Sequence, residues 1–67
     1  MIEEVVEEIG KFSDIVNHDR WKLAEMINGV YSEFPHHTQN LTSALEKRCN
    51  MQSTSLYNYR DAWTLRS

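Results

Sequence analysis

The chain has 67 residues, a formal net charge of −3 and a hydrophobic content of 40%, which indicates one globular domain and argues against disorder. The single cysteine, Cys49, excludes an internal disulfide, and the three histidines lack Cys or His partners at zinc-ligand spacing. No signal-peptide pattern opens the chain, and no apolar run is long enough to span a bilayer. We therefore expect a cytoplasmic protein with no cofactor, no metal and no membrane contact.

The first predicted element is an acidic amphipathic helix over residues 1–17. Residues 1–19 hold six carboxylates against one lysine, a balance of −5, whereas residues 20–67 have a balance of +2. Any phosphate-binding surface is therefore expected away from the N-terminus. Gly10 weakens the helix by about 1 kcal/mol relative to alanine, and we expect it to mark a close helix contact. The apolar residues form one stripe at steps of three and four: Ile2, Val5, Val6, Ile9, Phe12, Ile15 and Val16.

The second predicted element is a central helix over residues 19–35. Asp19 is the expected N-cap, because a short carboxylate side chain accepts hydrogen bonds from the free N–H groups of the first turn. Pro35 is expected to end the helix, since proline disfavours a helical conformation in the residue before it. The adjacent His36 and His37 are interpreted as part of a polar loop.

Residues 38–66 are predicted to form two further short helices joined by a tight corner. Thr38 is the expected N-cap of the third helix, and Asn50 is expected to turn the corner because asparagine tolerates the left-handed backbone conformation. The fourth helix is expected to begin at residues 52–53. The prediction is a single all-α domain, 1–67, with four short helices around one core. Three side chains of the fourth helix are expected to face inward: Leu56, Tyr59 and Trp63.

Five apolar positions on the two sides of this corner lie at relative steps of 0, 4, 6, 11 and 14. This spacing, over residues 40–62, resembles the helix-turn-helix unit of DNA-binding proteins, in which such anchors fix two helices at a steep angle. Glu46 and Asn50 stand where that family usually has a small residue and a glycine. The resemblance implies that the last two helices form a helix-turn-helix and that the fourth helix projects from the domain. The five anchors are Leu45, Cys49, Met51, Leu56 and Tyr59.

The resemblance also implies a sequence-specific double-stranded DNA-binding protein, such as a small transcriptional regulator or a mobile-element factor. Asn and Gln pair bidentately with adenine, Ser and Thr reach phosphates or base edges, and Arg and Lys contact phosphates. The hydroxyls of Ser53 and Thr54 are expected to cap the fourth helix, and its remaining free N–H groups are expected to receive a phosphate. Arg66 is a further expected phosphate contact, and Asp61 is expected on the outward face. The residues expected to bind DNA are Gln52, Ser53, Thr54, Tyr57, Asn58, Arg60, Lys47 and Arg48.

A function of another class is the alternative: a small helical adaptor that docks on a basic partner through its acidic first helix. The broad apolar stripe of that helix also predicts a homodimer or a protein partner, since helix-turn-helix proteins frequently bind two half-sites as dimers. Catalysis is not expected, because no carboxylate pair, Ser-His-Asp set, phosphate-binding loop or metal cluster is recognisable in so small a chain. A result of salt-dependent binding to DNA would favour the DNA-binding function. Loss of partner capture on changing Glu4 and Glu8 would favour the adaptor function.

Overall fold

The computed structural model describes residues 2–66, so that Met1 and Ser67, the ends of the predicted 1–67 domain, lie outside the described residues. Within that range the chain forms four α-helices and no strand, which confirms the all-α prediction. The helices are α1 (Ile2–Ser13), α2 (Arg20–Glu33), α3 (Thr38–Cys49) and α4 (Ser53–Arg66). The main packing partners are α1 with α3 and α2 with α4. In addition, α2 contacts α1, and α3 contacts α4. None of the four helices is long and apolar enough to cross a membrane.

All four helices contribute to one hydrophobic core. Its centre consists of side chains that are almost completely removed from solvent, and burial of each stabilises the fold by about 1.5–3 kcal/mol. Every helix therefore depends on its neighbours, as is expected for elements of 12–14 residues that are marginal when isolated. The buried apolar residues are Val6, Ile9, Leu23, Ala24, Ile27, Val30, Tyr31, Leu41, Leu45 and Leu56.

The apolar stripe of α1 is used inside this core from Ile2 to Phe12. The helix ends at Ser13, earlier than the predicted limit of residue 17, and the chain then turns through Asn17, which has a positive φ of 64°. The prediction that Ile15 and Val16 continue the stripe is therefore wrong, and these side chains are 54% and 84% exposed. The turn to α2 ends the helical periodicity, so sequence spacing no longer places these two residues on the inner face.

The boundaries of α2 agree with the sequence signals. The Oδ1 atom of Asp19 accepts hydrogen bonds from the backbone N–H groups of Trp21 and Lys22 at 2.9 Å and 3.3 Å, which confirms it as the N-cap. The helix ends at Glu33, with Phe34 as the C-cap immediately before Pro35. The two histidines that follow are exposed in the connecting segment, as expected.

The start of α3 differs from the prediction, whereas its end agrees with it. The N-cap is His37, because its carbonyl oxygen accepts the Leu41 N–H at 2.9 Å, and Thr38 is the first helical residue. The Thr38 hydroxyl bonds back to the Pro35 carbonyl at 3.4 Å instead of capping the helix. At the other end, Asn50 adopts the predicted left-handed conformation with φ 56° and ψ 46°.

Candidate nucleic-acid interface

The corner between α3 and α4 is fixed from both sides by buried leucines. Leu45 before it and Leu56 after it both have no exposed area. Cys49, Met51 and Tyr59 are half-buried and pack against the same core. All five apolar positions that were expected to anchor the corner therefore face inward, and α4 leaves the corner with its opposite side toward solvent.

Glu46 holds the N-terminus of α4. Its Oε2 atom accepts the backbone N–H of Ser53 at 3.1 Å, and a carboxylate is favoured there by the partial positive charge of a helix N-terminus. The expected hydroxyl caps are wrong, because neither Ser53 nor Thr54 makes a side-chain hydrogen bond to a described residue. A bound phosphate at this end would meet the Glu46 carboxylate, so the structure disfavours the expected phosphate site on these N–H groups.

The outward face of α4 lies opposite Leu56. Thr54, Asn58 and Asp61 follow one another at steps of four and three and are all exposed, and Leu65 continues the row at 87% exposure. Gln52, directly before the helix, is also exposed. The side chains of Gln52, Thr54 and Asn58 make no hydrogen bond to another described residue. We call these three residues the polar face; α1 does not cover them.

Tyr57 is not part of this face, which corrects the expectation that it points into a groove. Its ring centroid lies 6.0 Å from that of Tyr31 in α2, and its hydroxyl lies 3.2 Å from Oγ1 of Thr42 in α3. Tyr57 shares one flank of α4 with Arg60, three residues later, and this flank meets α2 and α3. A large ring next to Leu56 therefore fills the gap between three helices instead of remaining in solvent.

The hydroxyl group of Thr42 connects α2, α3 and α4. It donates to the Thr38 carbonyl at 2.8 Å and lies 2.6 Å from the Tyr31 hydroxyl. Because a hydroxyl has one proton and two acceptor sites, Tyr31 and Tyr57 then both donate to Thr42. Burial raises the pKa of Tyr31. The network orients the first half of α4 against its two neighbours.

Asn28 fixes the second half of α4 in the same way. Its side-chain amide in α2 donates to the carbonyl oxygen of Arg60 at 3.0 Å and to the Thr64 hydroxyl at 2.8 Å. Sequence reasoning did not assign a role to this residue. An asparagine on a helix is common, and only the contact between two distant segments identifies it as a clamp.

Arg48 is directed to the acidic helix instead of the polar face. Its Nε and Nη2 atoms donate to the two carboxylate oxygens of Glu7 at 3.0 Å and 3.1 Å, and Nη2 also donates to Asp14 at 2.9 Å. These bonds lower the pKa of both carboxyl groups and raise the pKa of the guanidinium. The side chain crosses α1 at Gly10, where a Cβ would lie only 2.6 Å from Cζ. The expected close contact at Gly10 is confirmed, and Arg48 is engaged inside the protein, contrary to its expected role.

The other expected phosphate contacts differ in their surroundings. Lys47 is exposed and makes no ion pair with a described residue. Arg60 pairs with Asp61 at 3.0 Å, and its guanidinium lies 5.0 Å from the centre of the Tyr57 ring. Arg66 lies 4.5 Å above the Trp21 ring, a contact that stabilises its position, and it makes no ion pair with a described residue. Lys47 and Arg66 are therefore available to an anion, whereas Arg60 is partly neutralised.

The N-terminus of α2 and the side of α4 enclose a surface cleft of about 370 Å³. Arg20, which the sequence did not single out, lines it together with Ser55, Asn58, Tyr59 and Ala62. Asn58 belongs both to this cleft and to the polar face. Trp63, expected in the core with Tyr59, is instead half-buried at the edge of a separate surface cavity.

Residues 2–66 contain no group of three His, Cys, Asp or Glu side chains that could hold a metal ion. No protein-family model, curated protein or solved structure matches the chain.

Proposed function

We propose that α3 and α4 act as a helix-turn-helix and that the protein binds double-stranded DNA sequence-specifically. In this proposal α4 lies in the major groove, and the protein acts in the cytoplasm as a small transcriptional regulator or a mobile-element DNA-binding factor. The proposal commits Gln52, Thr54 and Asn58 to base edges. Lys47 and Arg66 contact the phosphate backbone.

The observation that carries the proposal is the polar face itself. Gln52, Thr54 and Asn58 are exposed, and their side chains make no hydrogen bond to another described residue. They lie directly before α4 and in its first half, and contacts from α2 hold this helix in place. Amide side chains can pair bidentately with adenine, and here the backbone that carries them is fixed before binding. A merely solvated helix face more often carries Lys and Glu.

The charge distribution predicts moderate affinity and a modest dependence on salt. Arg48 is engaged with α1, Arg60 with Asp61 and Lys22 with Glu25. Three cations of α2–α4 make no ion pair with a carboxylate among residues 2–66: Arg20, Lys47 and Arg66. About three phosphate contacts give a slope of log K against log salt of about −3 per protomer. A homodimer on two half-sites would double that value.

The experiment is selection of preferred sites from a randomised duplex library, followed by fluorescence anisotropy on the selected duplex at 50–200 mM salt. Asn58→Ala is expected to weaken binding to the selected site by about 5-fold to 150-fold, which corresponds to the loss of about 1–3 kcal/mol of base discrimination. Binding to unrelated duplexes should remain unchanged. Lys47→Gln should weaken binding to all duplexes and reduce the salt slope by about 1.

Asn40→Ala is the matched control, because Asn40 is also an exposed asparagine and lies beside the cavity between α1 and α3. It should bind like the wild type. Failure of the wild-type protein to bind any duplex at 50 mM salt would refute the proposal.

The adaptor function is favoured by a different observation: Glu4 and Glu8 are exposed and make no ion pair with a described residue. The apolar stripe of α1 is buried in the core, so such a partner would have to be recognised through charge. Capture of a basic protein that is lost on Glu4→Gln and Glu8→Gln, together with an absence of DNA binding, would establish the adaptor in place of the DNA-binding function.

A further inference from the structure

We infer that the cleft between α2 and α4 binds a backbone phosphate of the duplex, with Arg20 as its principal cation. This inference rests on the proposed DNA-binding function and adds a contact that the helix-turn-helix segment itself does not contain. Arg20 belongs to α2, outside residues 40–62, and only the packing of α2 on α4 brings it beside Asn58.

The chemistry of the lining is that of an anion site. Arg20, Ser55, Asn58 and Tyr59 all carry side-chain donors, and none of them makes a hydrogen bond to another described residue. Within residues 2–66 no buried side-chain polar atom lacks a partner, so the unpaired hydroxyls of Ser55 and Tyr59 must be open to solvent. These hydroxyls are therefore accessible to a ligand that accepts hydrogen bonds.

None of the described residues that line the cleft carries a carboxylate. The nearest acidic residue along the chain, Asp19, directs its Oδ1 atom to the N–H groups of Trp21 and Lys22. That cap also fixes the first turn of α2, which carries Arg20. A site with one guanidinium, several neutral donors and no lining acid favours a phosphate over a neutral or cationic ligand.

The position of the cleft identifies the source of the phosphate. Asn58 is shared between the cleft and the polar face, so a base contacted by Asn58 and an anion held by Arg20 would lie next to each other. In a duplex, the group adjacent to a base edge in the major groove is the phosphate backbone that borders the groove. The cleft would then set the depth and direction of α4 in the groove.

The test compares the salt dependence of DNA binding for four full-length proteins: wild type, Arg20→Gln, Arg20→Lys and Lys22→Gln. Arg20→Gln is expected to reduce the slope of log K against log salt by about 1. The Kd of this variant, divided by the Kd of the wild type, should therefore fall about threefold to fourfold between 50 and 200 mM salt. Arg20→Lys should retain the wild-type slope. Lys22 is the matched control because it is an exposed cation on the same turn that pairs with Glu25 at 2.8 Å, and its replacement should leave the slope almost unchanged.

The outcomes separate the two proposals. Wild-type binding with an unchanged slope for Arg20→Gln would overturn the phosphate cleft and leave the DNA-binding function intact. An absence of wild-type binding would overturn both. A titration with inorganic phosphate at constant ionic strength compares free phosphate with duplex DNA as a ligand of the cleft. The NMR signal of the Asn58 side-chain amide reports on this binding. Saturable binding of free phosphate that does not compete with duplex DNA would assign the cleft to another anion and refute the inference.

Discussion

Replacing Thr42 with valine tests whether one hydroxyl joins three helices. Valine keeps the branched shape of threonine, so the packing volume changes little, but the group that contacts Tyr31, Tyr57 and the Thr38 carbonyl becomes a methyl group. The substitution therefore removes hydrogen bonds without creating a large cavity.

The expected loss follows from the burial of each partner. The Tyr31 side chain is only 6% exposed, and its hydroxyl would lose its hydrogen-bond partner, which costs about 1–3 kcal/mol. Tyr57 is half-buried and its hydroxyl is closer to water, so the loss of its hydrogen bond to Thr42 lowers the free energy of unfolding by less. We expect a decrease of about 2 kcal/mol in the free energy of unfolding, or a decrease of about 8–16 °C in Tm for a domain of this size.

The assay is urea denaturation of the wild type, Thr42→Val, Tyr31→Phe and the double variant. Removing both hydroxyls leaves no buried donor without a partner, so the double variant should lose less stability than the sum of the two single variants. A loss below about 0.5 kcal/mol for Thr42→Val, or additive losses in the double variant, would refute the network.

Thr42→Ser is the control, because it keeps the hydroxyl while losing a buried methyl worth about 0.8 kcal/mol. Urea denaturation should show a smaller loss of stability for Thr42→Ser than for Thr42→Val. An equal loss in the two variants would contradict the role of the hydroxyl.

Two further predictions concern the contact of Arg48 with α1. Gly10→Ala should raise the free energy of unfolding by about 0.5–1 kcal/mol in an Arg48→Ala background, as expected from helix propensity. In the wild-type background this gain in unfolding free energy should be smaller or reversed, since the new Cβ displaces Arg48. Urea denaturation measures both effects, and equal effects in the two backgrounds would contradict the contact between Gly10 and Arg48. The second prediction concerns acid stability. Hydrogen bonds from Arg48 lower the folded-state pKa of Glu7 and Asp14 below their ordinary values of 4.5 and 3.8. The two ionised carboxylates therefore stabilise the fold at pH values above these ordinary pKa values. This stabilisation is lost as the pH falls through the lowered pKa values. Thermal unfolding of Arg48→Gln should therefore depend less on pH between about 5 and 2 than that of the wild type, and parallel profiles would exclude the linkage.

Local sequence signals predicted the boundaries that depend on adjacent residues. Asp19 caps α2, Pro35 follows its end, and Asn50 turns the corner in the left-handed conformation. Such features follow from backbone sterics and from short side chains that bond to nearby N–H groups, so they need no tertiary contact. Two expected caps are exceptions. The turn at Pro35 gives the capping position of α3 to His37 instead of Thr38. At the start of α4, Glu46 accepts the Ser53 N–H, and the hydroxyls of Ser53 and Thr54 do not cap the helix.

The candidate interface could be predicted only in part. Thr54 and Asn58 are exposed as helical periodicity requires once Leu56 is buried. Gln52 precedes the helix, so this periodicity does not determine its exposure. Tyr57, one residue from Leu56, lies on the flank of the helix, where periodicity alone leaves both inward and outward directions possible. Contacts with Tyr31 and Thr42 decide its direction.

The sequence by itself determined four helices, the N-cap of α2, the left-handed corner at Asn50 and the polar character of one side of the last helix. These properties depend on residues within about one helical turn of each other. Only the tertiary structure decided which charges remain available, because Arg48 meets Glu7 41 residues earlier in the chain. It also brought Arg20 beside Asn58. Long side chains reach whichever opposite charge the packing brings near, and that choice is made by the relative placement of helices, which no local pattern encodes.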